Sequence, residues 1–147
     1  MNHETKQQFT VSHLKDAVFE PGLRAYAHYR DLGIALATSG AAVAHVIRLI
    51  PPCDPKEVSI PHRHGVEFQM VYVLKGWLVS EFEDQGAVRM EVGSCWLQPS
   101  GMRHAVLDYS DDCEILEIVM PANFSTENLD QRSQRGIKPS ACMRSSQ

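Results

Sequence analysis

An all-β domain, a sandwich or a barrel, is what this sequence predicts, and three observations predict it. Runs rich in Val, Ile, Tyr and Phe recur over residues 42–120, each bounded by Gly, Pro or Asp. Stretches with helical periodicity among them are few. Prolines at 51, 52, 55 and 61 interrupt the chain after the first such run, excluding helix and strand interior over 51–61.

Residues 1–22 form a polar, weakly patterned extension ending at Glu20-Pro21-Gly22. Residues 23–40 hold Tyr26, His28 and Tyr29, then Asp31-Leu32-Gly33, and read as a short strand followed by a loop or turn. Ala42–Ile50 is the first long strand. Further strands are expected at 66–74, 77–83, 87–92, 94–98, 102–108 and 113–120, with Pro121 ending the last. The barrel is thus expected to span 23–124. Residues 125–147, rich in Ser, Gln, Arg and Asn, are expected to be a frayed or loosely docked tail.

A length of 147 residues fits one domain that buries a core without disulfides. Apolar content of 44% and charged content of 22% are those of an ordinary globular chain. The net charge is −4 and no run of Lys and Arg occurs, which argues against nucleic acid and acidic membrane surfaces as partners. No apolar stretch approaches the length of a membrane span. Met1–Thr10 lacks the pattern of a signal peptide, so a cytoplasmic location is expected. Cys53, Cys95, Cys113 and Cys142 form no CxxC pair and read as free thiols, Cys95 and Cys113 as small core residues.

Strand parity sorts the side chains. With Gln69 inward, Val71 and Val73 follow it, while Met70, Tyr72 and Leu74 point out. Leu78, Ser80 and Phe82 share one face of the next strand, and Trp77, Val79 and Glu81 the other. Segment 70–74 is therefore apolar on both faces. Its outer face needs cover from the N-terminal residues or from a second subunit, and a homodimer is expected.

His62 and His64 lie two apart and can aim at one point in an extended strand. Gln69 follows five residues later, an odd spacing that a bulge or kink at Gly65 can correct. His104, from a distant strand, would complete the site. Imidazole nitrogens suit Zn, Fe, Ni, Cu and Mn to differing degrees, and three of them with one oxygen leave positions open for water or substrate. His3 and His13 are expected to be solvent-exposed, and His28 and His45 to be surface or satisfied core residues.

Two stretches carry a family resemblance. His62-Arg63-His64, Gln69 and Gly76 come first; Gly93, Pro99-Ser100-Gly101, His104 and Asp108 come second. In order and spacing they resemble the two motifs of the cupin family, over about residues 43–120. The resemblance implies an antiparallel jelly-roll (double-stranded β-helix) barrel. It also implies one divalent metal ion, Fe, Mn, Ni or Zn, at His62, His64, Gln69 and His104. The family usually has Glu where Gln69 stands and Asn where Asp108 stands. A neutral amide leaves more of the metal's charge uncompensated, which favours acidic bound water and anionic or enolate-like substrates but weakens metal affinity. Glu67 shares the parity of Gln69 and is the alternative ligand, or a proton acceptor for a ligand histidine. The count to Gly76 favours Gln69.

The pocket is expected to be small and mostly apolar, lined by Val71, Val73, Leu78, Phe82 and Val106. Arg48 would anchor a carboxylate and Glu117 would act as general base if their strands turn them inward; on the outward face each is an ordinary surface charge. A metal-dependent dioxygenase or related oxidoreductase acting on a small anionic or dicarbonyl molecule is the leading reading. A Lewis-acid isomerase or hydrolase at the same site, or a non-catalytic small-molecule sensor, are the alternatives.

Overall fold

A computed structural model describes residues 6–22 and 24–129. His3, Cys142 and residues 130–147 of the expected tail lie outside the described residues. Among the described residues, eleven strands make two antiparallel sheets. They are β1 (Glu20–Pro21), β2 (Ala27–Asp31), β3 (Val43–Leu49), β4 (His62–Gly65), β5 (Phe68–Lys75) and β6 (Trp77–Phe82), followed by β7 (Gly86–Glu91), β8 (Cys95–Leu97), β9 (His104–Tyr109), β10 (Glu114–Met120) and β11 (Ser125–Asn128). One sheet has the order β1-β2-β3-β10-β5-β8 and the other β11-β4-β9-β6-β7. Consecutive strands repeatedly change sheets, and the result is the expected jelly-roll barrel.

Alternation puts the core between the sheets. In β5 the buried residues are Gln69, Val71 and Val73, and in β6 they are Leu78, Ser80 and Phe82, as parity requires. Val73 and Val119 are fully buried, and Leu78 and Leu49 nearly so. Removing such side chains from water supplies the main drive to fold, at roughly 25 cal/mol per Å² of apolar surface. Gly76, between β5 and β6, has φ +64°, and a Cβ there would run into Ser110 Oγ. Only glycine fits this turn.

Four local readings need correction. Residues 51–61 are not free of helix, because Pro55–Val58 forms one helical turn. Proline is tolerated at the first helical position, and Asp54 caps the turn by accepting a hydrogen bond from the Lys56 N–H at 2.9 Å. The tail does not begin at 125, since β11 pairs with β4 from Ser125↔Gly65 to Asn128↔His62. Cys113 is a core residue, but Cys95 is exposed on β8. Finally, the odd spacing from His64 to Gln69 is not absorbed by a bulge within one strand. The chain leaves one sheet at Gly65 and enters the other at Phe68, so the two residues reach the same interior from opposite walls.

The outer face of β5, β8 and β10 exposes Phe68, Tyr72, Leu74, Leu97 and Met120 by 37–62%. Residues 6–22 do not cover it. They are held at the far side of the sheet, where Gln8 N–H donates to Ala37 and Arg30 to Ser12. Among the described residues no helix is long and apolar enough to cross a membrane.

Candidate metal centre

His62 and His64 are two apart on β4, and both turn into the barrel. His104 opens β9, which lies beside β4 with His62 and His104 directly opposed. A tight turn fixes the approach. Met102 N–H donates to Pro99 O, and Gly101 N–H to His64 O at 2.8 Å. Ser100 Oγ accepts from Val66 N–H. The Pro99-Ser100-Gly101 turn is thereby stitched to the strand that carries the other two histidines.

Ring centroids of the three imidazoles lie 4.0–5.1 Å apart, and one nitrogen from each falls within 4.8 Å of the others. In each ring Nδ1 is already engaged. His62 Nδ1 lies 2.9 Å from Ile60 O, His104 Nδ1 3.0 Å from Met102 O, and His64 Nδ1 2.9 Å from Thr126 Oγ1. With Nδ1 donating to these oxygens, Nε2 is in each ring the nitrogen that carries the lone pair a shared ion would take. Burial holds the rings neutral. It pushes the pKa of His62 down to about 3 and that of His64 to about 4, and lowers His104 too; the charge of Arg24 acts in the same direction on all three. Neutral, oriented nitrogen donors of this kind fit a first-row divalent metal ion.

A chain of amides runs from this cluster to a carboxylate. Gln98 Nε2 lies 3.1 Å from His104 Nε2 and donates to Gln69 Oε1 at 3.2 Å. Gln69 Nε2 in turn donates to Glu117 Oε2 at 3.0 Å. Gln69 and Gln98 are both almost completely buried. Glu117 keeps some accessible surface because it lines the cavity, yet burial raises its pKa, opposed by the hydrogen bond from Gln69. The pairing explains the positions: Glu117 on β10 is flanked by His45 of β3 and Val71 of β5, both facing inward.

The cavity has a volume of about 410 Å³, within the usual size of small-molecule sites. Val71, Leu78 and Val106 line it, with His45, Gln69 and Glu117. Val73 and Phe82 do not; they are core residues behind the wall. Arg48 is outside as well. It lies three residues from His45, so alternation turns it to the opposite face, where it pairs with Glu114 at 3.6 Å and stacks on Phe19. Glu67 is exposed in the corner between β4 and β5, away from the imidazoles, and its N–H donates to Met120 O. Asp108 is exposed and bonds the Tyr109 N–H.

Several cavity residues escaped sequence reasoning. Gln98 carried a weak signal, as the one long polar side chain in an apolar strand and of the same parity as Trp96. Tyr29 lies in the strand expected there, but nothing local turns it to the cavity, and Arg24, Phe124 and Thr126 carried no signal.

Residues 53–119 match the family model described as Cupin domain. No curated protein matches the chain in sequence. Among solved structures, the polyketide cyclase RemF from Streptomyces resistomycificus is similar with a TM-score of 0.67 and 20% identity, over 84% of this chain and 89% of RemF. A cupin-superfamily sugar phosphate isomerase from Silicibacter pomeroyi gives 0.63 and 22%, over 83% and 82% of the two chains. KdgF from Halomonas gives 0.63 and 16%, over 78% and 96%. At these identities the likeness establishes the fold.

Proposed function

Residues 53–119 match the cupin-domain family model, and on that premise we propose that the chain is a mononuclear metal enzyme that moves protons on a small anionic or dicarbonyl molecule. His62, His64 and His104 are the nitrogen donors of the proposed site, and the Gln69 amide oxygen is the fourth. The observation that carries the reading is the amide chain joining a buried carboxylate to a cluster of three neutral imidazoles within one cavity.

A bound divalent ion supplies an electrophilic centre that stabilises negative charge on a carbonyl oxygen. The residues of the chain do the rest. Glu117, its Oε2 held by Gln69, is the base that takes a proton from the carbon next to the carbonyl and returns it. Its raised pKa brings it closer to the range where a carboxyl both accepts and gives up a proton. The apolar walls, with Val71, Leu78 and Val106, exclude water and strengthen each charge interaction inside. Isomerisation and ring closure are reactions of this type, and the similar folds include an isomerase and a cyclase.

A metal-dependent dioxygenase is the second reading, favoured by the three-histidine donor set alone. One experiment separates the two. Protein loaded with Zn or with Fe is incubated with a panel of 1,3-dicarbonyl acids in deuterated water, with oxygen uptake recorded in parallel. Deuterium entering the α-carbon, and lost in Glu117→Gln, supports the proton-transfer reading. Stoichiometric oxygen uptake with Fe only supports the dioxygenase. Ligand-induced stabilisation with neither outcome identifies a binding protein.

A further inference from the structure

We infer that Arg24 anchors a carboxylate of the substrate, so that the site takes a small dicarboxylic or similar acid whose anchored carboxylate is separate from the oxygens presented to the imidazoles. The inference rests on the cavity being the substrate site, as proposed above.

Arg24 lines the same cavity as His62, His64 and His104. Its position is fixed by Asn128, whose Oδ1 accepts from Arg24 Nη2 at 3.1 Å. Asn128 is the register partner of His62 across β11 and β4, so the guanidinium is pinned beside the strand that carries two of the histidines. Its charge is close enough to disfavour protonation of all three imidazoles.

The other arginines with described ion pairs, Arg48, Arg63 and Arg89, meet Glu114, Glu127 and Glu91. Arg24 forms no ion pair among the described residues. A guanidinium carries five N–H donors in a planar fork, and an amide oxygen uses only part of it. What remains suits a carboxylate, taken by two parallel hydrogen bonds. The cavity holds one other full charge, Glu117, which Gln69 engages. Much of the remaining cavity wall is apolar, with Leu49 and Ile47 among its members. An incoming carboxylate would therefore find Arg24 as its counter-ion. Arg48, on the outer face, cannot serve.

The test is titration calorimetry with malate and with 2-hydroxybutanoate. These acids share the same head and differ in a second carboxylate in place of a methyl group. Wild type, Arg24→Gln and Arg24→Lys are compared, each metal-loaded and metal-stripped, with metal content measured separately. The inference predicts that wild type binds malate at least about tenfold tighter than 2-hydroxybutanoate. Arg24→Gln should bring the two within about twofold while leaving metal content and the affinity for 2-hydroxybutanoate unchanged. Arg24→Lys, a charge without the fork, should keep part of the preference. No preference in wild type, binding of neither acid, or a preference that survives Arg24→Gln overturns the inference. Failure of the metal reading would show differently, as no bound metal with the malate preference intact in stripped protein.

Discussion

Gln98 Nε2 stands 3.1 Å from Nε2 of His104, the ring nitrogen that its Nδ1 contact with Met102 leaves free. The amide N–H thus occupies the lone pair that a metal ion would need. A neutral hydrogen bond of this kind is worth about 0.5–1.5 kcal/mol net. Gln98→Met should remove the competitor and tighten metal binding by about two- to tenfold, measured by competition with a fluorescent chelator. Weaker binding would make Gln98 a donor to the metal instead.

Gln69 should set the strength of the site. As a direct donor, Gln69 should matter at least as much as a residue that only orients a ligand, so Gln69→Ala is expected to weaken metal binding by about 10–100-fold or more. Gln69→Glu should tighten it, since a carboxylate is the stronger donor. The same change places a second acid against Glu117, so the metal-free variant should melt below wild type and the metal-loaded one recover. Thermal unfolding with and without added Zn reads both effects.

Acid should destabilise the metal-free protein through the histidines. His62 titrates near 3 and His64 near 4 when folded, against about 6.5 when unfolded. Between those values the unfolded chain binds protons that the folded chain refuses. Stability is therefore full above about pH 6.5 and declines as pH falls towards 4, with a limiting slope of about 1.4 kcal/mol per pH unit for each such histidine. Denaturant melts at pH 7, 6, 5 and 4 should show this loss, and His62→Gln should flatten it. An unchanged midpoint across that range would contradict the burial argument.

The outer face of β5 and β8 should be a subunit interface. Tyr72, Leu74 and Leu97 are 39%, 39% and 62% exposed, and residues 6–22 lie elsewhere. We expect a homodimer by light scattering at micromolar concentration, and a monomer for Tyr72→Glu/Leu97→Glu with the same circular dichroism. A monomeric wild type would contradict the assignment.

Much of this was legible in the sequence. Strand runs ended by Gly and Pro marked most of the barrel, because turn chemistry and period-two alternation are local. The histidines were legible for the same reason, with His62 and His64 sharing parity and the Pro99-Ser100-Gly101 turn preceding His104. The remainder depended on contacts between distant segments. Nothing local says that the chain changes sheets between Gly65 and Phe68, and the sequence alone offers only a bulge or kink at Gly65 for the phase of Gln69. Arg48 resembled an anchor on composition, but pairing with Glu114 and its parity against His45 place it outside. Arg24 reaches the cavity from an irregular segment held by Asn128, over a hundred residues away, and no periodicity announces it.

The measurement closest to the central claim is metal content by elemental analysis. It is made on protein purified without chelator or nickel affinity, beside a His64→Ala/His104→Ala variant with an unchanged circular dichroism spectrum. The account predicts about one Fe, Mn, Ni or Zn per wild-type chain and none in the variant. Wild type that holds no metal even after incubation with each ion, or a variant that keeps it, would contradict the account.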